Sequence, residues 1–185
     1  MNLNSRDKTA KIWDAESFEL LGTIDTGDDL LNSASYSPDG KRIITTSLHS
    51  SAKVWDSESL ESLGTLEGHE ASASYSPDGK RIVAAPRYDR SLTIWDADRL
   101  EPVGFLEGHQ SVLNSARYSA DGKFIITASE DGTVRIWDAE KYECIKTVTS
   151  IPGMNFIGVD FTALDLRSVF DEEEKETVRR YGGII

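Results

Sequence analysis

The stretch SASYSPDGKRI stands at 33–43 and again at 72–82, and a near copy, SARYSADGKFI, stands at 115–125. Each runs from small and aromatic residues into Ser-Pro-Asp-Gly or Ser-Ala-Asp-Gly and out into a β-branched run. Pro38 presets its φ for the second position of a tight turn. Asp39 can hydrogen-bond the local backbone, and Gly40 can take the positive φ that closes the turn. The eleven residues therefore read as a strand, a hairpin turn and the start of a second strand. They recur because a structural unit recurs, so they speak for architecture and say little about a ligand.

A second marker travels with the first. Trp-Asp occurs at 13–14, 55–56, 95–96 and 137–138, so the steps between tryptophans are 42, 40 and 42 residues. A period of ~40–45 residues suits a four-stranded blade of a propeller. The last full unit reads as strands over 112–118, 123–128, 133–137 and 143–149, with turns at 119–122 and 129–132. Runs of β-branched and aromatic residues between Gly and Asp clusters carry that reading.

The bulk numbers narrow the function classes. The chain has 185 residues, 38% hydrophobic and 28% charged, which describes a globular chain and not a disordered one. A formal net charge of −12 with no basic run argues against sequence-independent binding to nucleic acid or to an anionic membrane. One cysteine, Cys144, cannot form an internal disulfide, and its place in a strand predicts a small buried hydrophobe. The first residues, MNLNSRDKTAK, lack the apolar core of a signal peptide, and no apolar run approaches the ~20 residues of a membrane helix. A cytoplasmic location is the expectation.

The strings KIWD, KVWD, TIWD and RIWD, the pairs Gly68-His69 and Gly108-His109, and SEDGTVRIWD resemble the WD40-repeat family over roughly 5–149. The resemblance implies an all-β fold, here a partial WD40 β-propeller of three full four-stranded blades plus part of a fourth. It also implies that the chain works as a protein-interaction platform. In such blades a His, a Ser or Thr, a turn Asp and the Trp form a buried hydrogen-bonded network. His109, Asp131 and Trp137 match it in the last repeat, with Thr127 or Ser129 as the hydroxyl. The middle repeat keeps His69, Asp89 and Trp95, with no hydroxyl evident. In the first full repeat Gly27 replaces the His and His49 falls where the Asp belongs, although Trp55 remains. The opening partial unit keeps Asp7 and Trp13. The ending Tyr-Gly-Gly-Ile-Ile looks similar to the ends of some bacterial WD-repeat proteins, which implies a bacterial origin and a natural C-terminus.

The middle repeat is three residues shorter before its tyrosine, GHEASASY against GHQSVLNSARY. That predicts a shortened or irregular inner strand there, with one compensating residue in PRYDRS at 86–91. The blades occupy 1–149, and 150–185 forms a tail. MNFIGVDFT at 154–162 alternates, with Ile157, Val159 and Phe161 on one face, and reads as one more strand. DEEEKETVRRY at 171–181 reads as a short C-terminal α-helix, capped by Asp171 and Glu174 and stopped by Gly182-Gly183. Its acids face the dipole at the start and Arg179-Arg180 face it near the end.

The unit count does not close a ring, since propellers carry ~4–8 blades and those of this family about seven. Three completions compete. Two chains join their part-rings as a homodimer; the chain is the end of a longer protein; or the tail strand closes a small ring within one chain.

No chemistry is expected at the repeated polar residues. His109, a hydroxyl and Asp131 resemble a hydrolase triad in kind, but the same set recurs across blades and a triad occurs once. There is no G-x-S-x-G elbow and no phosphate loop ending in Lys-Ser/Thr. The three histidines fall one per blade, so neither a metal nor a cofactor is expected. The acidic run at 171–176 reads as a solvated helix face. Partner contacts are expected from rim loops: Asp29, Glu70 and Gln110 before the inner strands, and Tyr88 and Glu130 beside the turn aspartates. Arg87, Tyr88 and Arg90 form a basic and aromatic cluster on an acidic molecule, and Arg and Tyr favour interface centres. The reading is a non-catalytic protein-interaction scaffold with a protein partner. Its alternatives are a sensor or regulatory module at the C-terminal end of a larger signalling or effector protein, a propeller-based enzyme, and a truncated remnant.

Overall fold

The structure is a computed structural model that describes residues 8–27, 30–47, 50–68, 70–86 and 88–149. The strand expected at 154–162 and the helix expected at 171–181 lie outside the described residues. So do Asp7, Asp29, His49, His69 and Arg87.

Fourteen strands form four antiparallel sheets among the described residues. The opening unit pairs β1 (Thr9–Trp13) with β2 (Leu20–Asp25). The first full blade is β3 (Leu31–Tyr36), β4 (Arg42–Ser47), β5 (Ala52–Asp56) and β6 (Ser62–Leu66). The middle blade is β7 (Glu70–Tyr75), β8 (Arg81–Pro86), β9 (Leu92–Asp96) and β10 (Pro102–Leu106). The last blade is β11 (Leu113–Tyr118), β12 (Phe124–Ser129), β13 (Thr133–Asp138) and β14 (Cys144–Thr149). In each full blade sequence neighbours pair in order, so every sheet is a meander from an inner to an outer strand.

The repeated stretch forms the turn its residues predict. Gly40, Gly79 and Gly122 each donate their N–H to the carbonyl of Ser37, Ser76 and Ser119 at 2.9 Å. Their φ values are 72°, 73° and 73°, a region where a Cβ is penalised and glycine is not. Each turn serine donates to the following aspartate, Ser37 to Asp39 at 2.6 Å for example. Ala120 replaces proline in the third copy without altering this geometry.

The core lies between blades. Strand alternation gives each sheet two apolar faces, as a layered all-β arrangement requires. Ile82, Ala84 and Trp95 face the first full blade and pack on Ile44, Val54 and Leu66. Val83, Ala85, Leu92 and Ile94 face the other way, onto Leu113, Ile125 and Trp137 of the last blade. Ile43 and Trp55 pack on Ala10, Ile12 and Ile24 of the opening unit. Polar links cross the same seams. Arg42 donates to the Ala97 carbonyl and pairs with Asp98 at 2.8 Å, and Arg117 donates to the Ala73 carbonyl at 3.2 Å.

Two expectations are corrected. The inner strand of the middle blade is not shortened: β7 has six residues, as β3 and β11 have. The three residues are lost from the connection instead, because β7 begins one residue after His69 whereas β11 begins four after His109. A strand between two packed blades cannot give up ladder bonds cheaply, while a rim loop can shorten. Cys144 is exposed and not buried. It opens β14, the outermost strand of its sheet, at the groove beside the middle blade.

Candidate interaction surface

In the last blade the polar residues form one relay. Trp137 donates Nε1–H to Thr127 Oγ1 at 2.9 Å. Thr127 Oγ1 lies 2.7 Å from His109 Nε2, and His109 Nδ1 lies 2.8 Å from Asp131 Oδ2. Only one proton arrangement satisfies all four: Thr127 donates to Nε2, and His109 donates Nδ1–H to the carboxylate. Asp131 also accepts from the Gln110 N–H at 2.9 Å and from the Thr133 hydroxyl at 2.6 Å. Of the two hydroxyls the sequence left open, Thr127 is the one in the relay. Ser129 instead donates to the Ser111 carbonyl and accepts from the Asp131 N–H.

Burial pushes the His109 imidazole below its ordinary value of 6.5, and its bond to Asp131 only partly offsets this. Burial would raise the Asp131 carboxyl, but the bonds from Thr133, Gln110 and His109 together hold it far below the usual carboxylate range. The unfolded chain therefore takes up a proton at this histidine before the folded chain does. That contribution to stability is complete above about pH 6.5 and is lost as pH falls below it. The thermal midpoint is expected to drop between about pH 7 and about pH 5, and to drop less steeply in a His109→Gln variant. Equal slopes for the two proteins would contradict this assignment.

The other blades keep parts of the relay. In the first full blade, which has no histidine at that place, Trp55 Nε1–H still reaches Thr45 Oγ1 at 2.9 Å. In the middle blade the position in register with Thr45 and Thr127 is Ala84, paired with Ala73 and Thr93. Trp95 Nε1 is accordingly buried without a hydrogen-bond partner. Asp89 is exposed and, among the described residues, accepts from the neighbouring Arg90 and Ser91 backbone N–H groups. Ala84→Thr is expected to give Trp95 its missing acceptor and raise stability by about 1 kcal/mol. Urea titration reads this directly, and an unchanged or lower midpoint would mean that the methyl and hydroxyl do not fit.

No substrate can reach the triad-like set, because Thr127 is 0% exposed and is held by both Trp137 and His109. Among the described residues no group of His, Cys, Asp or Glu is arranged to hold a metal ion. No helix among them is long and apolar enough to cross a membrane.

The exposed rim carries a different set from the buried relay. The meander places the β4–β5, β6–β7, β8–β9, β10–β11 and β12–β13 connections on one rim. Gln110 and Glu130 stand there side by side in the last blade: Gln110 is tied to Asp131 by its backbone, and the Glu130 N–H donates to Val112. Tyr88 and Arg90 project from the β8–β9 loop of the middle blade, with Tyr88 68% exposed. Glu70 begins β7 on that rim, opposite Pro86 in register.

Two features were not read from the sequence. On the opposite rim a groove of about 1010 Å³ separates the middle and last blades, lined by Pro77, Arg81, Tyr118, Phe124 and Tyr142 among others. The second is a peg and socket at every seam. The residue four after each Trp-Asp aspartate takes a left-handed conformation: Phe18 (φ 58°), Leu60 (61°), Leu100 (55°) and Tyr142 (61°). Leu60 sits over Gly22, Leu100 over Gly64 and Tyr142 over Gly104, each glycine lying on the outer strand of the preceding blade. The signal was in the sequence, an apolar residue at a fixed distance after each Trp-Asp, but its partner glycine lies in another unit.

Three stretches of the chain, 18–56, 60–96 and 100–138, match the family described as WD domain, G-beta repeat. No curated protein matches the chain.

Proposed function

The chain belongs to the WD40-repeat family, and from that premise we propose that it is a non-catalytic protein-interaction scaffold of the cytoplasm. One observation carries the reading. Polar side chains at matching places in the blades are buried and hold the blade, as in the Trp55–Thr45 and Trp137–Thr127 bonds and the His109–Asp131 pair added to the latter. The side chains that differ between blades are turned to solvent on one rim, among them Tyr88, Arg90, Gln110 and Glu130. A repeated buried frame with a rim that differs from blade to blade suits recognition of a protein surface, where exposed Tyr and Arg serve as anchors. An overall charge of −12 favours a partner with a basic docking face over an acidic one.

The test is affinity capture from the source cytoplasm with three baits: the wild type, a Tyr88→Ala, Arg90→Glu variant, and a Lys80→Glu variant on the opposite rim. A partner retained by the first and third and lost from the second is expected. Identical capture by all three, or none by any, would sink the reading.

A further inference from the structure

The two seams between full blades close differently on the rim of the Ser-Pro-Asp-Gly and Ser-Ala-Asp-Gly turns. Between the first full blade and the middle blade, Arg42 crosses over. Its guanidinium donates to the Ala97 carbonyl and pairs with the Asp98 carboxylate at 2.8 Å. Ala97 beneath it is 1% exposed. Between the middle and last blades the corresponding residues are Arg81, Ala139 and Glu140. The receiving side is built in the same way. Ala97 and Ala139 each donate N–H to a turn lysine carbonyl, that of Lys80 and of Lys123. Asp98 and Glu140 each donate N–H to the carboxylate of the Trp-Asp pair, Asp96 and Asp138.

Arg81 does not cross. It stands in register with Asp96 of its own blade and pairs with that carboxylate at 2.9 Å. It also donates to the Lys80 carbonyl at 3.0 Å. Held twice within its own blade, it leaves the seam open as the groove of about 1010 Å³. That is the size of a ligand cleft, ~300–1,000 Å³. Ala139 lines the groove and is half-buried, where Ala97 is covered. No hydrogen bond from a described residue reaches the Ala139 carbonyl or the Glu140 carboxylate.

The open acceptors identify what fits. A backbone carbonyl beside a carboxylate suits a planar, charged fork of N–H donors, and Arg42 shows a guanidinium seated on such a pair. One difference between the seams sharpens the match. The peg that lines the open groove is Tyr142, where the sealed seam has Leu100. An aromatic face holds a guanidinium by stacking, and a leucine does not. A lysine ammonium would meet the charge but would present neither the fork nor the flat face. The overall charge of −12 also favours a basic visitor.

We propose that the groove between the middle and last blades is a docking site for an arginine side chain on a basic segment of a partner protein. The guanidinium takes the place that Arg42 holds in the neighbouring seam. It donates to the Ala139 carbonyl, pairs with Glu140 and lies against the Tyr142 ring. The site is on the rim opposite Tyr88 and Arg90. It goes beyond the scaffold reading, because it needs neither of those residues.

The probe is N-acetyl-arginine methylamide. Its citrulline counterpart, which keeps the shape and loses the charge, is the control. Amide NMR of the full chain is expected to show saturable shifts at 139–142 with the arginine probe and none with citrulline. Glu140→Gln is expected to weaken binding about fivefold, and Tyr142→Leu about threefold. Asp98→Asn, at the seam that Arg42 already seals, is expected to leave binding unchanged. Circular dichroism checks that each variant keeps its strands. No saturable shift at the groove, equal binding of citrulline, or full affinity in Glu140→Gln would each overturn the proposal. So would an arginine probe that binds only after Arg167, Arg179 and Arg180 are all changed to alanine, since the occupant would then be the chain's own tail. The Tyr88→Ala, Arg90→Glu variant tests the scaffold reading separately and leaves this titration untouched.

Discussion

Thr127→Val is expected to destabilise the protein by about 3 kcal/mol, the sum of two buried polar groups left without partners at roughly 1–3 kcal/mol each. Valine keeps the shape and removes the oxygen. Thr127 accepts from Trp137 Nε1 and donates to His109 Nε2, both inside a residue with no accessible surface. Neither stranded nitrogen can turn to water without opening the seam to the middle blade, where Trp137 packs. The thermal midpoint should fall by about 6–12 °C for a chain of this size. Ser129→Ala is the control. Ser129 holds the Asp131 N–H and the Ser111 carbonyl in the loop and lies outside the relay to Trp137, so its loss should cost about 1 kcal/mol. If the two variants lose equal stability, the relay has no special weight and the loop bonds carry the blade.

The second large effect is at a socket. Gly104→Val is expected to cost about 2–3 kcal/mol, the usual penalty for forcing extra methyl groups into a packed site. A Cβ at Gly104 would meet the Tyr142 ring, with Cδ2 at 2.6 Å and Cζ at 3.3 Å. The ring cannot yield easily, because Tyr142 is fixed at φ 61° by its N–H bond to the Asp138 carbonyl. Tyr142→Ala removes the obstacle, so the double variant should be more stable than the sum of the two single losses predicts. A non-additivity of about 1–2 kcal/mol would measure the clash. Strict additivity would mean that the valine is accommodated without the tyrosine and that the peg does not define the seam.

Much of the architecture was legible because a propeller blade is a local object. Its strands pair with their sequence neighbours, so periodicity and turn chemistry suffice to draw it. The expected strand at 112–118 is found at Leu113–Tyr118, and that at 133–137 at Thr133–Asp138. The members of the last relay were legible too, down to a choice between Thr127 and Ser129. They lie one β-pairing apart within a single unit. Which hydroxyl serves depends on register: Thr127 stands opposite Ala116 and Arg135, two places from the Ile125 that pairs with Trp137. The middle hydroxyl could not be chosen from sequence because the register position holds Ala84 and there is none to choose.

Reasoning within one unit failed wherever a residue's partner lay in the next. The lost three residues of the middle repeat were assigned to its strand, which cannot shorten between two neighbours, when the rim loop absorbed them. Cys144 was assigned to a core because strands of this composition are usually covered, but β14 is the outermost strand of its sheet.

By itself, then, the sequence determined the repeat, the four-stranded unit, the turn that joins its first two strands, and the inward network of the last blade. All of these rest on contacts between residues at most a few tens of positions apart, whose geometry follows from strand period and turn stereochemistry. Only the tertiary structure decided how the units meet: which glycine receives which peg, and that Lys146 stands in the register position that holds glycine in the other blades. Those facts depend on the rotation of one sheet against the next, and a side chain's partner across a seam is chosen by that rotation and not by its distance along the chain.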